Sequence, residues 1–110
     1  MNLAEEARRF DVAAQEILAR DQMACIRCGL RAVDAHHRQQ KSVGGLSTWD
    51  NQISLCRECH DWAHANIELA TFEGWLVGSW EVPEIVPVEH YLLGRVIIGS
   101  DSTINAVGVR

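Results

Sequence analysis

Two C-x2-C pairs, Cys25 with Cys28 and Cys56 with Cys59, account for all four cysteines of the chain. Two thiolates separated by two residues can turn back onto one ion. Two such pairs complete the tetrahedral four-sulfur shell that zinc prefers in structural sites. The competing arrangement, a pair of disulfides, requires an oxidising compartment. Met1 is followed by an acidic, alanine-rich stretch, where a signal peptide needs a basic end and an apolar middle. The reading is therefore a structural Zn2+ in a cytoplasmic protein. The separation from Cys28 to Cys56 is longer than the usual zinc-ribbon span, so the insert between the two knuckles is where function is to be sought.

At 110 residues the chain is expected to form one domain, residues 1–110. Hydrophobic residues at 47% and charged residues at 23% match a globular protein. No apolar run approaches the ~20 residues that span a bilayer, so no membrane partner is expected. Ten Lys and Arg against fifteen Asp and Glu leave a formal charge of -5, which argues against polyanion binding through bulk charge. Contact with nucleic acid has to be local or metal-assisted.

Four of the five histidines, His36, His37, His60 and His64, lie in or just beyond the insert. Four thiolates already satisfy one zinc, so these imidazoles point to a second, more open metal position. Val33–His37 reads as a short strand, and the polar stretch Arg38–Asn51, with Gly44-Gly45, as a loop. Gln52–Leu55 reads as the returning strand and Arg57–Asn66 as a helix with Cys56 and Cys59 at its start. Ahead of this core, Leu3, Ala7, Phe10, Ala14, Ile17 and Leu18 predict a packing helix over residues 3–19. Behind it, acids outnumber bases six to two from Ala65 to Arg110. Pro83 and Pro87 bracket a connection, and Tyr91–Ile98 with Thr103–Val109 predict a hairpin. Trp49, Trp62, Trp75 and Trp80 read as core or knuckle-covering side chains. The fold class is α+β, with an N-terminal helix and a C-terminal β-rich extension.

On a helix, His60 and His64 stand four residues apart and share a face, so one turn offers two imidazoles to one ion. His36 and His37 are adjacent on a strand and project oppositely. One can bind the ion while the other stays free to take a proton, a task suited to an imidazole titrating near neutrality. Three nitrogen ligands with open positions and a free base beside them fit phosphodiester hydrolysis. Arg27, Arg31, Arg38 and Lys41 are the candidates for local contact with a nucleic-acid backbone.

With these residues in place, the sequence resembles the HNH endonuclease family, especially its small zinc-bearing, phage-like forms. The resemblance runs through Cys25-x2-Cys28, Asp34-Ala35-His36-His37-Arg38, Gly44-Gly45, Asn51, Leu55-Cys56-x2-Cys59-His60 and His64, a motif core of about residues 22–66. It implies a ββα-metal core, with one catalytic divalent cation (Mg2+, Mn2+, Ni2+ or Zn2+) beside the structural zinc. By the same resemblance, His37 is the general base and His36 and His60 are metal ligands. His64 is a further ligand found in part of the family, and Asn51 holds the loop and orients the base. The implied activity is a metal-dependent DNA endonuclease, nicking or cutting both strands, in a bacterial or phage-infected cell. Some phage forms assist the terminase or another packaging protein. Arg38 departs from the aliphatic residue common at its position. The alternative reading is a non-catalytic zinc-stabilised module that binds nucleic acid or a protein partner.

Overall fold

The computed structural model describes residues 11–107. Helix α1 is Ala14–Arg20, followed by strands β1 (Asp34–His37) and β2 (Gln52–Leu55), then helices α2 (Arg57–Ala65) and α3 (Ile67–Phe72). Strands β3 (Val88–His90), β4 (Gly94–Ile98) and β5 (Ile104–Ala106) complete the order. β1 and β2 pair antiparallel, with His36 opposite Ile53 and His37 opposite Gln52. β3, β4 and β5 form a separate antiparallel sheet in that order.

The chain between the two cysteine pairs thus folds as a two-stranded hairpin feeding α2. All four residues of β2 are buried, including Ser54, whose polar groups are each accounted for. Its N–H donates to the Asp21 carboxylate at 3.0 Å, and its carbonyl accepts from Ile26 of the first knuckle at 2.9 Å. Asp21 is held in turn by a paired contact with the Arg20 guanidinium. The knuckle itself turns at Gly29, whose φ of +80° is open to glycine at little cost. A Cβ at Gly29 would also run into the Tyr91 ring.

One apolar cluster joins the hairpin to the C-terminal sheet. It contains Ile26, Ile53, Leu55 and Ala63 from the first half and Ala70, Trp75, Leu76, Val88, Val96 and Ile98 from the second. Burial of this apolar surface is what holds the extension against the knuckles.

Several expectations change at the edges of this core. The helix expected over residues 3–19 is present only as Ala14–Arg20, and its first part, including Leu3, Ala7 and Phe10, lies outside the described residues. Ala13 is extended, and the Val12 N–H is taken by the Ser47 carbonyl instead of a helical acceptor. The helix ends in a Schellman-type closure: Met23 donates to Leu18 and Gln22 to Ala19, with Gln22 and Met23 both at positive φ. The expected strand Tyr91–Ile98 begins only at Gly94, because Tyr91–Leu93 form the turn that lets β3 pair with β4. Of the expected strand Thr103–Val109, Ile104–Ala106 is a strand, and residues 108–110 are outside the described residues. α3 and β3 had no counterpart in the sequence reading. Trp75 is buried and Trp62 packs on the core, but Trp80 is 82% exposed and covers neither core nor knuckle.

Arg38 requires the largest correction. Instead of facing nucleic acid, it is 0% exposed. Its guanidinium donates to the backbone carbonyls of Gly74, Asp50, Pro83 and Val86 at 2.7–3.0 Å. Burial lowers its pKa to about 10, which leaves it charged at neutral pH. It therefore staples residues 74–86 to the end of β1. Arg38→Met is expected to leave four carbonyls without their donor and to cost more than about 3 kcal/mol. Urea denaturation measures this; an unchanged midpoint would show that the staple contributes nothing.

Candidate metal centres

The four cysteines meet at one point. Their sulfurs all lie within 4.8 Å of one another, none is in a disulfide, and Cys28 Sγ is 3.7 Å from Cys56 Sγ. A tetrahedral zinc with Zn–S bonds of ~2.3 Å holds its sulfurs about 3.8 Å apart, so the cluster has the dimensions of a four-thiolate site. Local structure explains why both knuckles point inward. Cys25 N–H donates to the Leu30 carbonyl and Gly29 N–H to the Cys25 carbonyl, closing the first turn. Cys56 is the N-cap of α2, and its sulfur accepts the Cys59 N–H at 3.4 Å. A helix N-terminus favours negative charge, so that position suits a thiolate. Burial pushes the Cys59 and Cys28 thiols up. Burial acts in the same direction on Cys25, but backbone groups at Cys56, Cys28 and Arg27 outweigh it and bring that thiol down.

A second cluster lies apart from the sulfurs. β1 supplies His36, and α2 supplies His60 and His64 from one face. One nitrogen of each lies within 4.8 Å of the others. The ring centroids are 5.1 Å (His36–His60), 5.5 Å (His36–His64) and 4.8 Å (His60–His64) apart. His36 is buried, and its Nε2 lies 3.2 Å from the Trp75 carbonyl. A carbonyl can only accept, so this contact places the proton on Nε2 and leaves Nδ1 free. Burial, then the neighbouring His60 and His64, lower the His36 pKa to about 4, so it stays neutral and able to ligate near pH 7. His60 Nδ1 is buried with no hydrogen-bond partner among the described residues. An unpaired buried nitrogen is costly, and three neutral imidazoles around a common point are a donor set a divalent cation satisfies.

His37, next to His36 on β1, takes a different partner. Its Nε2 is 2.9 Å from the Ser47 hydroxyl. Burial, followed by the Lys41 charge, lowers its pKa, while Asp11 opposes the shift. A cavity of about 250 Å3 is lined by His36, His37, His60 and His64 together with Gln40 and Lys41. Asn51 is buried. Its side chain accepts from Gln39 N–H and donates to the carbonyls of Gln39 and Leu46, pinning both ends of the loop. Gly45 belongs to this clamp, since a Cβ there would collide with the Gln39 carbonyl.

Of the four candidate basic contacts, only Arg31 and Lys41 are exposed. Arg38 is the buried staple already described, and Arg27 lies against Cys59 and Trp62. The sequence reading missed Ser47 and the Trp75 carbonyl, which hold the two adjacent histidines. Ser47 is one of several polar loop residues, and a main-chain carbonyl leaves no mark in a sequence.

Residues 25–66 match the HNH endonuclease family. The HNH segment contains both cysteine pairs, the four histidines that line the cavity and Asn51, and it supports nuclease function at the level of the family. No curated protein and no solved structure matches the chain. No helix among the described residues is long and apolar enough to cross a membrane.

Proposed function

We propose that the protein is a metal-dependent DNA endonuclease of the HNH type, acting as a single domain with a ββα-metal core. The observation that carries this reading is the convergence of His36, His60 and His64 beside His37, apart from the four sulfurs. His36, His60 and His64 would hold one divalent cation, and Cys25, Cys28, Cys56 and Cys59 a structural Zn2+. When bound at the histidines, the cation supplies Lewis-acid stabilisation of negative charge on the phosphate.

The protein's own groups would supply the base and hold it in position. In the tautomer whose Nε2–H donates to Ser47, His37 keeps Nδ1 free to take a proton from an attacking water. Ser47 and the β1 backbone hold that ring, while Asn51 fixes the loop that carries Ser47. Lys41, which lines the cavity, and Arg31, which is exposed, would meet phosphates and offset part of the chain's negative charge. By the family resemblance, the proposal extends to a bacterial or phage-infected cytoplasm and to a phage terminase or another packaging protein as partner.

Supercoiled plasmid is expected to be nicked on addition of Mg2+, Mn2+, Ni2+ or Zn2+, and brief EDTA treatment is expected to stop the reaction. Undiminished cutting in EDTA would remove the role of the cation. DNA binding without cutting in any of these ions would instead favour a non-catalytic zinc-stabilised module.

A further inference from the structure

Arg27 sits inside the first knuckle, between the sulfurs and two tryptophans. Its guanidinium carbon is 3.9 Å from the centre of the Trp62 ring and 5.3 Å from that of Trp75. The two rings meet edge to face, 5.7 Å apart. From this position Nη1 donates to Cys59 Sγ at 3.3 Å, and Nε is buried with no hydrogen-bond partner among the described residues.

We propose that Arg27 is a charge-balancing and positioning residue of the four-cysteine zinc centre, not a contact to DNA. The proposal rests on the reading of the four cysteines as a zinc site and is independent of whether the histidines support cleavage. Four thiolates around Zn2+ carry a net charge of -2, and Cys25 and Cys59 are buried. Such charge needs a nearby donor. A guanidinium can lie flat on an indole and still direct an edge N–H at sulfur, which an ammonium on a flexible stem cannot do as well. Burying Nε without an acceptor has a cost that a solvent-facing phosphate contact has no reason to incur.

A hydrogen bond to a metal-bound thiolate withdraws electron density from sulfur and keeps the ligand in place. Outer-shell partners of this kind typically change metal affinity by 10–100-fold. The experiment uses the full chain loaded with zinc and challenged with excess chelator. Arg27→Met preserves much of the packing volume against Trp62, and it is expected to release zinc about tenfold faster than the parent protein. In the cobalt(II)-substituted variant, the thiolate-to-cobalt charge-transfer band is expected to move to lower energy, because Cys59 has lost its donor. A folded Arg27→Met with unchanged zinc release and an unchanged cobalt band overturns the proposal. It is equally overturned if the variant's only defect is weaker, less salt-sensitive DNA binding.

Should Arg27→Met fail to fold, the unmodified protein decides the matter when loaded with 113Cd. A slowly exchanging Arg27 Nη proton coupled to the cadmium nucleus supports the contact, and the lack of any such coupling defeats it. A chain that takes up neither zinc nor cobalt overturns the zinc-centre reading and this inference with it. Normal uptake with no Arg27 effect overturns this inference alone.

Discussion

His37→Ala is expected to reduce plasmid cleavage by roughly 10²–10⁴-fold, the range of a lost general base, while zinc content and the circular dichroism spectrum stay unchanged. The separation between function and fold follows from placement. His37 is half-buried at the end of β1, and its ring is held through the Ser47 hydroxyl, so truncation removes no core contact. His36 could not be tested in this way, because it is buried and bonded to the Trp75 carbonyl. Its loss would disturb the cation site and the attachment of the C-terminal extension together. Cleavage by His37→Ala at the parental rate, in protein of normal zinc content, would exclude His37 as the base.

The second large effect concerns the sulfurs. Cys25→Ser is expected to lose zinc and to unfold the domain, since a structural zinc contributes on the order of 10 kcal/mol to folds of this size. Cys25 is 0% exposed and belongs to the apolar cluster that joins the knuckle, β2, α2 and the C-terminal sheet. The Ile26 N–H and carbonyl beside it connect β2 to Tyr91. Release of the ion would therefore loosen both halves of the protein. The measurement is zinc stoichiometry alongside thermal unfolding. A Cys25→Ser protein that melts cooperatively at the parental temperature would remove the structural role from the four-cysteine cluster.

Much of the side-chain clustering was legible because it depends on short spacing. Two residues between cysteines, and four positions from His60 to His64 on a helix, determine reach through backbone geometry alone. Strand pleating predicts opposite projection of His36 and His37; the two take different partners, yet both line one cavity. The tail was harder to read. The three-residue strand Val88–His90 and the six-residue helix Ile67–Phe72 are too short for periodicity to declare itself, and contact with the shared core stabilises both. The arginines were misread for a related reason. Arginine is usually a surface residue, and nothing around Arg38 or Arg27 in the sequence marks them as exceptions.

From its order of residues alone, the chain determined that four sulfurs could share one ion, that two imidazoles would stand on one helical face, and that a hairpin would separate the knuckles. Only the tertiary structure decided that His36 joins His60 and His64, that Ser47 holds His37, and that Arg38 and Arg27 turn inward. Those outcomes depend on partners distant in the chain: the Trp75 carbonyl is 39 residues from His36, and the Val86 carbonyl is 48 residues from Arg38. Local spacing governs what a segment can reach. Burial and the pairing of polar groups within one shared core govern what it meets.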